Sequence, residues 1–391
     1  MYSNPVRLLT VSGRLVQKQV LVSTRIALRG GKVLYPVSQS RGYFQGHRQK
    51  LRVRNNHLVT LSHRKFSKAN EETFKKFRSF KNGDQFTKKF GSDILQYTAA
   101  VAYTPKDRLK NNIDSDDGGL DSPIYHSTDA FDSPTGEDNY ILAYTEIGII
   151  VGVLDGVGGW SEQGFDSSAI SREIACKVTE IYLDEPQLAP IEILKRAYDL
   201  VKSQGIVKVG STTICFGIID FNTNKLQALN LGDSWFGVFR RDPNGKYRCV
   251  YQSEEQTYYF NAPYQLSIIP QNFLDQAKKR GSKYLMNEPE EAAPYNFDLK
   301  SDDILIFTTD GLIDNVFPED VELYLNDSIM ENDNLTDKLG DINKVLVQQT
   351  KVLSLNTKFN SAFSQKLSNV TGQEYIGGKP DDITSVMVHI K

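Results

Sequence analysis

The chain has 391 residues, 39% hydrophobic and 24% charged, an ordinary globular balance with enough length for one large domain or two smaller ones. Its net charge of −2 conceals a split: residues 1–70 carry 14 Lys or Arg and no Asp or Glu, leaving 32 basic against all 48 acidic residues in 71–391, a net of −16 there. So acidic a body excludes a default nucleic-acid binder, which needs a basic surface to release counterions. No run reaches the roughly 18 apolar residues of a membrane helix, so no transmembrane segment is expected.

Residues 1–66 alternate short apolar stretches with arginines, as in "VRLLTVSGRLVQ" and "VLVSTRIALRG". Arg-rich, acid-free composition predicts a mitochondrial transit peptide, with "RKFS" resembling a processing site after Phe66. The competing reading is a basic arm for a membrane or nucleic acid. Residues 67–96 are charged and weakly patterned, and read as a linker or a loosely docked helix.

The domain is expected over 97–391. "YTAAVAYTP" predicts a first strand, and the acidic loop 111–123 follows. Asp114 and Asp116 have the spacing of a calcium loop, but its twelfth position is Tyr125, so a solvated loop is the reading. "NYILAYTEIGIIVGVLDG" predicts a hairpin. Asp166 or Ser167 then caps a helix with Ile170, Ile174, Val178 and Ile181 on one face, and a second helix starts at Pro190 and stops at Gly205. Strands return in "STTICFGIIDF", "KLQALNLGDSWFGVFRR" and "YRCVYQS"; residues 256–300 read as irregular, with a helix in "QNFLDQAKKRG". "DDILIFTTDG" is a buried strand, helices are expected near 318–330, 336–354 and 358–370, and "DITSVMVHI" closes the chain. Blocks of strands and helices without regular alternation predict an α+β fold.

Cys176, Cys215 and Cys249 form no CxxC pair, and the body beyond residue 70 has only His126 and His389, which leaves little for zinc or a Ser-His-Asp triad. Carboxylates instead cluster at predicted strand ends: Glu137-Asp138, Asp155-Gly156, Asp233, Asp310-Gly311 and Asp381-Asp382. Singly, each is an ordinary turn former. Brought to one sheet edge they would repel, and a divalent cation would relieve the repulsion. Oxygen donors without His or Cys point to Mg²⁺ or Mn²⁺. Glycine after Asp155 would let its carbonyl approach an ion and would permit a positive φ.

"GEDNY", "LDGVGGW", "VGSTTICF", "LNLGDSWFGVFR", "FTTDGLIDN" and "KPDDIT" occur in the order found in the metal-dependent protein phosphatase 2C family, which residues 97–390 resemble. "DGVGGW" and "FNAPYQLS" are similar to its mitochondrial branch. The resemblance implies an αββα sandwich of two antiparallel sheets flanked by helices. It also implies Mg/Mn-dependent hydrolysis of phosphoserine and phosphothreonine by a metal-activated water. By position, Asp155 resembles the carboxylate shared by two ions, Gly156 a carbonyl ligand, Glu137 a ligand of the second ion, and Asp310 and Asp381 ligands of the first. Asp381 fits the family pattern better than Asp382. Asp138 resembles an orienting residue, and Asp233, with Asp310, a ligand of a weaker third ion.

Two positions depart from the family. Ser133 stands where many members have a phosphate-gripping arginine, and Val157 where many have a histidine proposed as general acid. Loss of general acid catalysis costs roughly 10²–10⁴ in rate. Lys208 and "AKKRGSK" are candidate phosphate contacts, with surface solvation as the plainer reading. The expectation is a serine/threonine phosphatase of the mitochondrial matrix. Its partners would be phosphorylated mitochondrial proteins, metabolic or coenzyme Q biosynthesis enzymes among them. The alternative is a catalytically weak scaffold that binds phosphoproteins.

Overall fold

The computed structural model describes residues 32–33, 72, 74–76, 80–90, 95–106, 133–330 and 334–391. The segment 1–66 read as a transit peptide, apart from residues 32–33, and the acidic loop 111–123 lie outside these residues.

In chain order the strands that build the domain begin with β1 (Gln85–Phe90), β2 (Leu95–Thr104), β3 (Asn139–Tyr144) and β4 (Gly148–Leu154). Helices α1 (Ser168–Asp184) and α2 (Pro190–Gln204) follow. Next come β5 (Gly210–Thr212), β6 (Ile214–Asp220), β7 (Lys225–Leu231), β8 (Trp235–Arg241), β9 (Tyr247–Gln252) and β10 (Leu266–Ile268). Then α3 (Gln271–Lys279), β11 (Ala293–Asp298) and β12 (Ile304–Thr308) lead to the short α4 (Asp310–Ile313). Helices α5 (Pro318–Ser328), α6 (Leu335–Ser354) and α7 (Ala362–Thr371) precede β13 (Ile383–Ile390).

Two antiparallel sheets result. One has the order β9-β8-β12-β13-β2-β1, the other β11-β7-β6-β4-β3. The central strands are apolar throughout because both of their faces are covered. On β2, Tyr97, Ala99, Val101 and Tyr103 enter one core, while Ala100 and Ala102 enter another. That is the two-residue period of a strand. The first core lies between the sheets, where Phe307, Val386 and Val388 join Val151 and Phe216, and extends to Ile170, Ile174 and Val178 of α1. The second joins Phe239, Ile304, Ile306 and Met387 to Leu339, Leu346 and Val347 of α6. The layers are helix, sheet, sheet, helix: the expected α+β sandwich.

Two expectations need correction. The stretch 67–96 is not wholly linker, because β1 pairs with β2 as the edge strand of the larger sheet. Its sequence "QFTKKF" is masked by the charges that suit an exposed edge. The stretch 256–300 is more regular than expected, since β10 pairs with β5 and β11 with β7. At the start of α1, Asp166 does the capping: its Oδ1 accepts from the Ser168 N–H at 3.0 Å. The Ser167 hydroxyl goes elsewhere, to Glu137.

Candidate metal centre

Antiparallel pairing sets the start of one strand beside the end of the next. Asn139 faces Leu154, so Glu137 and Asp138 lie beside Asp155. Val153 faces Cys215 and Ile214 faces Leu231, which brings the turn holding Asp233 to the same end. In the other sheet Thr308 faces Ser385, so Asp310 and the Asp381–Asp382 pair meet there too. Residues separated by up to 245 positions thus converge on one edge of the sandwich.

Carboxylate oxygens of Asp155, Asp233 and Asp310 lie within 4.8 Å of one another. Asp233 Oδ1 and Asp310 Oδ1 are buried and have no hydrogen-bond partner. Burial, then the charge of Asp310 and of Asp138, Asp381 and Asp233, pushes the Asp155 carboxyl well above the usual carboxylate range. Burial and Asp310 do the same to Asp233, against the pull of Lys379. Asp381 is raised by burial and Asp310, opposed by Lys379 and Lys106. Such a cluster costs free energy that a cation would relieve, and its oxygen-only donors suit a hard divalent ion. The residues therefore fit Mg²⁺ or Mn²⁺.

The glycine after Asp155 is required by close approach, not by a positive φ, which Gly156 does not have. A Cβ there would sit 2.6 Å from the carbonyl oxygens of both Glu137 and Ser167. The turn is pinned from β5: Thr212 Oγ1 and the Thr213 N–H donate to the Asp155 carbonyl at 2.8 and 2.9 Å. Val157, where a general acid was sought, donates its N–H to the Ser211 carbonyl at 2.9 Å. Trp160 Nε1 donates to Ser211 Oγ at 3.0 Å and its ring stacks on Tyr284.

Glu137 is buried and its Oε1 accepts from Ser167 Oγ at 2.5 Å. Asp138 is deeper: its Oδ2 accepts from Thr309 Oγ1 at 2.9 Å, which ties one sheet to the other. Burial, then Asp382, raises its carboxyl well above the usual range. The adjacent pair at the start of β13 divides its work. Asp382 accepts backbone N–H groups from Lys106 at 2.6 Å and Glu137 at 2.9 Å, so it clamps main chain. Asp381 instead lies beside Lys379 and Lys106, each 3.6 Å away, on the Asp310 side.

Ser133 pairs its hydroxyl with Thr135 at 3.1 Å. Lys208 is not part of the site: its Nζ donates to the Gly205 carbonyl at the end of α2. The "AKKRGSK" stretch ends α3 and is largely exposed. Two residues that sequence reasoning missed do belong. Lys379 Nζ donates to Asp310 Oδ2 at 2.5 Å and to Asp314 Oδ2 at 2.6 Å. One signal was legible: Asp310 and Asp314 are four apart in "DGLID", a like-charged pair on one helical face that needs a cation. Nothing local identified Lys379 as that cation.

The profile of Stage II sporulation protein E (SpoIIE) matches residues 147–391. Protein phosphatase 2C homolog 7, mitochondrial, of Saccharomyces cerevisiae is 40% identical over 343 residues, covering 85% of this chain and 93% of the yeast protein. Protein phosphatase PTC7 homolog fig of Drosophila virilis is 33% identical over 264 residues, 66% of this chain and 80% of the fly protein. The photosystem II phosphatase PBCP superposes with a TM-score of 0.56 at 22% identity, over 75% of this chain and 99% of its own, a likeness of fold.

Proposed function

The chain belongs to the metal-dependent protein phosphatase 2C family, a family of protein phosphatases, and from that premise we propose that its acidic edge holds two Mg²⁺ or Mn²⁺ ions for hydrolysis of phosphoserine and phosphothreonine. The convergence of Asp155, Asp233 and Asp310, with two buried oxygens left unpartnered, carries this reading. Asp155, Glu137, Asp310, Asp381 and the Gly156 carbonyl are the proposed ligands, with Asp233 at the flank. Bound there, the ions would supply Lewis acidity to activate water and neutralise the phosphoryl group. The protein's part is placement. Ser167 fixes Glu137, Asp382 fixes the backbone of Glu137, and Asp138 with Thr309 holds the two sheets in register across the site.

The proposed location is the mitochondrial matrix. Support comes from the basic, acid-free segment 1–66 and from the mitochondrial yeast relative. Phosphorylated mitochondrial proteins, metabolic and coenzyme Q biosynthesis enzymes among them, are the proposed substrates on the strength of the family resemblance. A reporter carrying residues 1–66 is expected inside mitochondria, protected from added protease; a cytosolic reporter would refute the location.

The chain is expected to release phosphate from a phosphothreonine peptide with Mn²⁺ and not with chelator. Asp155→Asn should cost more than the roughly 10–100-fold typical of losing an outer-shell partner. Activity that survives both treatments defeats the proposal. Val157 and Ser133, which offer no imidazole and no guanidinium, favour the second reading, a weak phosphatase that serves as a phosphoprotein scaffold. That reading fails if Asp310→Asn abolishes cellular function in a folded protein.

A further inference from the structure

Lys379 is held more firmly than a surface lysine needs to be. Its backbone is clamped by one side chain: its N–H donates to Asn315 Oδ1 and its carbonyl accepts from Asn315 Nδ2, both at 2.9 Å. Its ammonium bridges Asp310 Oδ2 and Asp314 Oδ2, stands 3.6 Å from Asp381 Oδ2, and lies 5.3 Å from the ring centre of Phe363. The side chain is only 17% exposed. Three carboxylates and an aromatic face around one point are the surroundings of a bound cation.

The contact also sorts the two oxygens of Asp310. Oδ2 is engaged by Lys379, while Oδ1 is buried and has no hydrogen-bond partner. Asp310 therefore keeps a single oxygen free of hydrogen bonds. The family resemblance implied a third, weaker ion at Asp233 and Asp310, but the Lys379 charge already stands against Asp310.

We propose that Lys379 is a built-in cation of the acidic site, filling on the Asp310–Asp314 flank a position that a further divalent ion would otherwise take. The chain consequently binds one ion fewer than its carboxylates would accept, and Asp310 is oriented before any metal arrives. Lys379 is a positioning residue on this view. The inference rests on the proposed divalent-ion site.

The test is a count of bound Mn²⁺ on the full chain by calorimetric titration and elemental analysis, for wild type and Lys379→Ala. The variant is expected to bind one more Mn²⁺ per chain. In chelator its melting temperature should fall below that of wild type, and saturating Mn²⁺ should close the gap. If that variant does not fold even with Mn²⁺, Lys379→Met keeps the aliphatic stem without the charge, and the same extra ion is expected. An unchanged ion count in whichever variant folds, against a wild type that binds Mn²⁺, overturns the inference alone. A wild type that binds no Mn²⁺ overturns the metal site and the inference together.

Discussion

Asp381 and Asp382 are chemically identical neighbours with opposite duties. Asp382 is nearly inaccessible, and its two oxygens receive the N–H groups of Lys106 and Glu137. Removing it leaves a buried donor unpaired, which costs about 1–3 kcal/mol. Asp382→Ala is therefore expected to lower unfolding stability by about 2 kcal/mol in urea titrations, with or without metal. Asp381 is 27% exposed and, among the described residues, accepts a backbone N–H only from its neighbour Asp382. Asp381→Asn should leave the urea midpoint of the chelated protein nearly unchanged and weaken Mn²⁺ binding in calorimetry. Gly136 shows how tightly the clamp is built: a Cβ at its φ of +72° would fall 2.2 Å from Asp382 Oδ1.

At the scale of elements, strand ends far from the acidic edge are tied by a second carboxylate. Asp302, in the tight turn before β12, receives Arg241 Nε at 2.6 Å and Tyr247 OH at 3.1 Å, with His389 Nε2 also 3.1 Å away. Burial would raise its carboxyl, but His389 and Arg241 outweigh burial and hold it below the ordinary range. A depressed folded pKa stabilises the protein above the unfolded value, about 4, and that gain disappears as pH falls through the folded value. Asp302 has φ 69°, a conformation that Asn tolerates, so Asp302→Asn isolates the charge. The expected loss is about 1 kcal/mol at pH 7, kept small by solvent screening, and it should vanish in acid. Urea midpoints of both chains measured from pH 7 down to pH 2 check the sign.

The same scale explains what could be read in advance. The hairpin β3–β4 and the helices α1 and α2 were legible because their apolar periods are clean and their stops, at Gly205 for example, are local. Strand β1 was not, since "QFTKKF" has only two apolar residues in six and gains its place from pairing with β2, not from its own composition.

The whole molecule depends on the contact between its sheets, because the acidic edge draws on both. Phe307 of one sheet is fully buried, stacks on Phe236 at 5.3 Å, and reaches to where a side chain on Gly217 of the other sheet would lie. Phe307→Ala is expected to cost about 3–5 kcal/mol by calorimetry or urea unfolding. Mn²⁺ affinity should fall with it, since Asp310 lies three residues beyond Phe307 while Asp155 follows β4 of the opposite sheet. Equal Mn²⁺ affinity in that variant would show that the ligand geometry does not need the inter-sheet core.

By itself the sequence determined that strands end in carboxylates, that His and Cys are too few for a soft-metal site, and that the motifs stand in the order of one family. Those properties are local, carried by residue type and spacing. Tertiary structure decided which of two adjacent aspartates faces the cluster and which lysine keeps it company. The N–H groups of Lys106 and Glu137 hold Asp382, while Asp381 is left beside Lys379 and Lys106. Lys379 meets Asp310 across 69 positions of sequence, a pairing that only the folded sheet edge creates.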